Sequence, residues 1–263
     1  MPQVKLKPDT LNLENRRFIQ TPLRQPVFLN SVPKSGSHLL RNIVRMFVPV
    51  EQQYQEQFIQ WPNMQQHLAA FDPRRNLLSW GHLWFSDASA IETAPARKIL
   101  LYRDPRDWVL ARARFFLSDE FRGNLEQIKE GKLSINSLLS LMIFGVHTKA
   151  PPMADIYSMN AVSWLASVDH VVRYEDLLLN LRNLDSDDAN AFFTQLLAAC
   201  GIDPIPADWR ERVRTGSDRK QSGTARENLT GSRIDIPAEL PEIHQRLIDV
   251  AAPGLRAILG YSG

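Results

Sequence analysis

The sequence predicts an α/β fold in three layers, a central parallel β-sheet flanked by helices. Three observations predict it. Short runs rich in Val, Ile and Leu recur along the chain, separated by longer segments with helical spacing of apolar residues. The short runs are apolar throughout rather than alternating, as strands buried on both faces are. A turn or helix-start signal follows several of them, so that strand, loop and helix succeed one another.

Residues 1–25 are polar, contain prolines and read as an N-terminal arm of a single domain spanning residues 1–263. Val27-Phe28-Leu29 is the first strand. From Gly36 onward Leu39, Leu40, Ile43, Val44 and Phe47 recur at helical spacing, with Arg41, Asn42 and Arg45 on the other face. Residues 49–66, rich in Gln and aromatics, carry no assignable period. Leu77 to Trp80 reads as a second strand and Lys98 to Tyr102 as a third. Asp104-Pro105 then supplies an N-cap followed by proline at the first helical position. Helices are predicted over Pro105 to Phe116, Ser134 to His147, Met153 to Leu165, Ala189 to Cys200 and Glu239 to Leu259. His170 to Tyr174 is the fourth strand. Arg210 to Gly231 is basic, polar and loop-like.

The chain has 263 residues, enough to bury a substantial core, with 44% hydrophobic and 23% charged residues. A net charge of +2 lacks the strong basic bias of nucleic-acid binders, so no nucleic acid is expected as a partner. The longest apolar stretch, around Leu138 to Val146, is too short for a transmembrane segment, and the N-terminus has no apolar signal core. Cys200, the only cysteine, sits in an apolar helical run and reads as a small buried hydrophobe. These features predict a soluble, cytoplasmic protein, with a peripheral membrane role as the open alternative.

In a parallel sheet the ligand lies beyond the carboxyl ends of the strands. There, Asn30 to His38 joins the first strand to the first helix. Unpaired N–H groups at a helix N-terminus and the helix dipole favour an anion. Gly36 allows close backbone approach, Ser35 and Ser37 add hydroxyls, and Lys34 adds a charge. It is not a Walker A loop, because the lysine precedes the glycine. A capped turn with an exposed lysine is the plainer alternative. After the third strand, Arg103 is followed at once by a helix start and offers a planar fork suited to phosphate; an Arg103–Asp107 pair is the plainer reading there.

Pro33-Lys34-Ser35-Gly36-Ser37-His38-Leu39-Leu40 resembles the 5′-phosphosulfate loop of the sulfotransferases that use 3′-phosphoadenosine 5′-phosphosulfate (PAPS). Arg103-Asp104-Pro105-Arg106-Asp107 is similar to that family's 3′-phosphate motif. The family's serine eight residues after the arginine is Ala111 here, so a hydroxyl contact to the 3′-phosphate is lost unless Arg112 or Arg114 substitutes. Gly81-His82-Leu83 fits the segment that carries the family's catalytic histidine, with Trp80 in place of a lysine. Tyr174-Glu175-Asp176-Leu177 resembles a strand end whose tyrosine lies near the adenine. Arg219 to Thr230 resembles a loop that covers the 3′-phosphate, one residue short and with Ala225 where a tryptophan stands.

The resemblance implies a P-loop-NTPase-like sulfotransferase fold and sulfonate transfer from PAPS to an acceptor hydroxyl or amine, with 3′-phosphoadenosine 5′-phosphate (PAP) as product. It implies Lys34 and His82 as catalytic residues. Lys34, Ser35, Gly36, Ser37, His38, Arg103, Tyr174, Arg219 and Lys220 would bind the nucleotide. His38 or a glutamate are the other candidate bases. No metal is expected, and the acceptor is a small molecule, lipid or glycan. Residues 122–165 and 53–61 are expected to shape its pocket. The oligomeric state is open. An ATP-dependent kinase-like transferase and a non-catalytic PAP-binding protein are the alternatives.

Overall fold

The computed structural model describes residues 9–55, 58–118, 128, 130–220 and 235–261. Its strands are β1 (Val27–Ser31), β2 (Ile59–Gln60), β3 (Leu78–His82), β4 (Arg97–Tyr102) and β5 (His170–Arg173). Its α-helices, in chain order, are α1 (Leu11–Asn15), α2 (Ser37–Val44), α3 (Asp87–Glu92), α4 (Pro105–Leu117), α5 (Ile135–Phe144), α6 (Met153–Asn160), α7 (Tyr174–Arg182), α8 (Asp187–Ala199), α9 (Trp209–Ser217), α10 (Glu242–Ala251) and α11 (Leu255–Ile258). The chain divides into two compact units. One comprises Lys7–Tyr102 with Met159–Ala225; the other comprises Met1–Leu6, Arg103–Ser158 and Arg226–Gly263.

The first unit holds the sheet, ordered β2-β3-β1-β4-β5 and parallel throughout. The central strand β1 is buried along its whole length, as its unbroken apolar start requires. In register, Leu29 lies between Trp80 of β3 and Ile99 of β4. The amphipathic α2 packs its apolar face, with Leu40, Ile43 and Val44, into the same core as these strands and as Phe193, Leu196 and Leu197 of α8. Cys200 is buried beside them, and desolvation pushes its thiol up to about 12.

Two buried arginines fasten the outer side of α2. Arg45 donates to Asp9 at 3.1 Å and to Asn12 at 2.8 Å, while Asn15 donates to the Arg45 carbonyl. Arg212 of α9 donates to Asp208 at 2.7 Å, to the Ile19 carbonyl at 2.7 Å and to Gln20 at 3.0 Å. Gly216 lets α9 lie directly on α2: a Cβ there would stand 2.4 Å from the Asn42 carbonyl oxygen.

In the second unit α4, α5 and α10 pack together. Arg112 is buried and donates to the carbonyls of Met142 at 2.7 Å and Pro151 at 2.8 Å. His244 is buried with its Nε2 3.0 Å from the Asn136 carbonyl.

Several expectations are corrected. The loop expected over 210–231 begins as a helix, α9; its residues 221–231 lie outside the described ones. Tyr174 opens α7 instead of ending β5. The helix expected over 239–259 is broken near Gly254, whose left-handed φ of 72° starts α11. The helices expected over 134–147 and 153–165 stop at Phe144 and Asn160, the latter followed by a 3-10 turn over Val162–Trp164. Residues 49–66 contribute 3-10 turns and the fifth strand, β2. Among the described residues no helix is long and apolar enough to cross a membrane.

Candidate active site

The loop between β1 and α2 is shaped by two left-handed positions, Lys34 and Gly36, with φ of 68° and 94° on either side of Ser35. The turn is closed by the Ser35 N–H donating to the Val32 carbonyl, and the loop is tied to β4 by the Val32 N–H donating to Leu101. Gly36 sits at the N-cap of α2, where no side chain caps the helix. A helix N-terminus without a side-chain cap suits an anion, through its outward N–H groups and the helix dipole. Ser35 is fully buried, and its Oγ has no hydrogen-bond partner. A buried hydroxyl without a partner costs about 1–3 kcal/mol. An anion seated in the loop would relieve that cost, so the residues present fit a phosphate or sulfate. Lys34 is half-buried here, unlike the exposed lysine of a plain capped turn.

Gly36 is required twice over. Its φ is one that L side chains rarely adopt, and a Cβ would stand 2.5 Å from Cδ2 of Tyr174. The Tyr174 ring thus lies on the loop's glycine.

His82, at the end of β3, is placed by Ser31 at the end of β1. Its Nδ1 is 3.0 Å from the Ser31 carbonyl oxygen and 3.1 Å from Ser31 Oγ. A carbonyl can only accept, so Nδ1 carries the proton and Nε2 is left with the lone pair. Burial drives the His82 pKa down to about 4, the Nδ1 contact to Ser31 resists this, and the Lys34 charge adds to the fall. At neutral pH the ring is an uncharged base. Ser31 Oγ in turn donates toward Ser37 Oγ at 2.8 Å, with the Gly81 carbonyl also within 3.1 Å. A run of polar atoms thus joins the imidazole to the anion loop.

The loop after β3 is held by Asn30, which donates to the Leu83 carbonyl at 3.2 Å and accepts from its N–H at 2.9 Å; Trp164 Nε1 donates to the same carbonyl. Around His82 stands a group of rings. Phe58 lies 5.4 Å from the imidazole and 5.5 Å from Trp80, and Trp80 lies 4.7 Å from His38. Gly81 makes this possible, because a Cβ there would be 2.0 Å from the Ile59 carbonyl oxygen and would drive β2 off β3.

The first unit therefore brings together Lys34, Ser35, Gly36, Ser37, His38, His82 and Tyr174 at the carboxyl edge of the sheet. Arg219 and Lys220 are exposed just beyond α9, where the Lys220 N–H donates to Asp218. Residues 221–230 of the expected covering loop lie outside the described ones.

Arg103 follows β4 directly and opens the second unit. Its carbonyl accepts from the buried Tyr157 hydroxyl at 2.8 Å, and its guanidinium is 3.8 Å from Asp107. Asp104 caps α4 by accepting from the Arg106 N–H and is gripped by Arg256 at 2.9 Å and 3.2 Å. Arg112 is committed to two carbonyls inside this unit, so it does not substitute for the missing serine; Arg114 is exposed.

Sequence reasoning placed Asn30 and Ser31 in the loop, whereas they close β1, and gave them no role of their own; Phe58 falls within residues 53–61, expected to shape the acceptor pocket, but was not singled out. Asn30 and Ser31 did leave a signal, since two polar residues close an otherwise apolar central strand.

No family model matches the chain, and no curated protein matches it. Solved structures do. Mouse sulfotransferase SULT7A1 complexed with PAP is similar at a TM-score of 0.59 and 13% identity, over 96% of this chain and 94% of that one. Retinol dehydratase in complex with androsterone and inactive cofactor PAP is similar at a TM-score of 0.51 and 13% identity, over 91% of this chain and 82% of that one. The chain has the sulfotransferase fold.

Proposed function

We propose that the protein is a PAPS-dependent sulfotransferase. The observation that carries this reading is the pairing of an anion loop with a neutral imidazole base through Ser31, on a fold shared with two PAP-bound proteins. Fold alone does not assign chemistry; the loop and the imidazole are what support this reading.

The 5′-phosphosulfate would occupy the loop of residues 33–38, against the uncapped start of α2 and the Ser35 hydroxyl. Arg103, with Arg219 and Lys220, would hold the 3′-phosphate, and Tyr174 would border the adenosine. His82 Nε2 takes the proton from the acceptor as its oxygen or nitrogen bonds to sulfur. The bond from sulfur to the bridging oxygen breaks in line, and the electron pair leaves with PAP. Lys34 and the loop N–H groups stabilise the charge that builds on that oxygen. The His82 proton sits on Nδ1, so no tautomer change precedes the step.

The test is calorimetric titration of PAP, adenosine 5′-monophosphate and ATP with Mg²⁺ into wild type, Lys34→Ala and Arg103→Ala. PAP is expected to bind best and to lose most affinity in both variants. A preference for ATP with Mg²⁺ would move the assignment to a kinase-like transferase. PAP binding without transfer from PAPS to any acceptor in a broad screen would leave a binding protein. With an acceptor in hand, Lys34→Ala and His82→Ala are each expected to lower turnover about 10²- to 10⁴-fold.

A further inference from the structure

The chain satisfies its buried guanidinium groups with oxygen acceptors: Arg112 with two carbonyls, Arg212 with a carboxylate, two carbonyls and an amide. Arg41 is treated differently. It lies on α2 one turn beyond the anion loop and is half-buried, and its guanidinium makes no hydrogen bond or ion pair with the described residues. Its guanidinium carbon stands 5.1 Å from the centroid of the Trp80 ring. Asp9 is the acid that acts on it electrostatically, but both Asp9 oxygens are engaged by Arg45 at 3.1 Å. Desolvation and the Arg45 charge lower the Arg41 pKa to about 10, and the Asp9 charge offsets this only in part.

A cation over an indole recovers about 0.5–2 kcal/mol but supplies no oxygen acceptor to the guanidinium. The five N–H donors of a guanidinium match a planar anion such as a carboxylate. The same Trp80 ring contacts Phe58, and Phe58 contacts His82. Phe58 is 36% exposed, and Trp61, just past β2, is 42% exposed. Arg41 is thus connected to the candidate base through two rings, at an aromatic surface that reaches solvent.

We propose that Arg41 seats an anionic group of the acceptor, so that the acceptor is an aromatic hydroxy acid rather than a neutral phenol or alcohol. This rests on the sulfotransferase reading for the word acceptor, but the binding claim stands on Arg41, Trp80 and Phe58 alone. The anion could instead belong to the nucleotide, and the test separates the two.

The probes are 4-hydroxybenzoate and its neutral isostere 4-hydroxybenzamide, titrated calorimetrically into wild type, Arg41→Gln and Arg41→Lys, with and without saturating PAP. Thermal melts verify that each variant is folded; Arg41→Lys keeps the charge should Arg41→Gln fail to fold. The acid is expected to bind wild type about 10- to 100-fold more tightly than the amide, as charge-assisted hydrogen bonds allow. That preference should vanish in Arg41→Gln and survive in part in Arg41→Lys, with PAP affinity within about twofold of wild type, since Arg41 is given no donor contact. Equal binding of the two probes to wild type, binding of neither, or a preference that survives in Arg41→Gln overturns the proposal. So does a tenfold loss of PAP affinity in Arg41→Gln, which would assign the anion to the nucleotide. Failure of PAP to bind wild type would sink the donor reading, while the titrations without PAP still decide the role of Arg41.

Discussion

Lowering the pH should destabilise this protein through one identifiable ring. The His82 pKa falls from 6.5 to about 4 in the folded chain, because burial and Lys34 outweigh the contact to Ser31. The unfolded chain therefore takes up a proton near pH 6.5 that the folded chain refuses until about pH 4. Stability is lost as the pH falls through that window, and the loss levels off below it. At about 1.4 kcal/mol per unit the shift corresponds to about 3 kcal/mol, and to about 2–3 once solvent access to the half-buried ring is allowed for. The perturbation is His82→Asn, whose amide N–H can replace Nδ1–H toward the Ser31 carbonyl but does not titrate. Urea denaturation of both proteins from pH 7 to 4.5 reads the effect. His170, also lowered by burial, contributes equally to both and cancels in the difference. Wild type should lose about 2–3 kcal/mol more than His82→Asn over this range. Parallel curves for the two proteins, or an imidazole titrating near 6.5 by NMR, would refute the placement of His82 beside Ser31 and Lys34.

Gly36→Ala should cost about 1–2 kcal/mol of stability from its left-handed φ and, by displacing Tyr174, weaken PAP binding by at least tenfold in calorimetry. Gly81→Ala should detach β2 from β3, carry Phe58 away from His82, and raise the imidazole pKa toward 6.5 in an NMR titration. Arg112→Met leaves the Met142 and Pro151 carbonyls without their donor and should lower stability by about 2–4 kcal/mol in urea, while PAP affinity holds.

The parallel sheet was legible because β1, β3 and β4 are apolar runs, and the loop after β1 was legible because lysine, two serines and glycine crowd a strand–helix junction. What stayed hidden has physical reasons. The two residues of β2 owe their strand to Gly81 on the neighbouring strand, not to any local preference. The buried positions of α9 are Trp209, Arg212, Val213 and Gly216. They follow helical spacing, yet an arginine and a glycine among them hide the pattern from any hydrophobicity reading. The Ser31–His82 contact spans 51 residues of sequence, and only the pairing of β1 with β3 creates it. Arg41 looked like a solvated surface residue because the opposite face of α2 is so apolar; its neighbour Trp80 comes from another strand.

The Arg212 clamp sets an order of events during synthesis. Its contact to the Ile19 carbonyl joins residues 193 positions apart, and its partner Gln20 lies nearly as far away in sequence. Until α9 has left the ribosome, Arg45 is the one of the two arginines that ties the N-terminal segment to the outer side of α2. The nascent chain can pair β1, β3 and β4, but the helix carrying the anion loop is completed late. A chain truncated before residue 212 would thus retain every sheet strand while α2 is held by one of its two arginines, a species for chaperones to hold rather than a smaller stable domain.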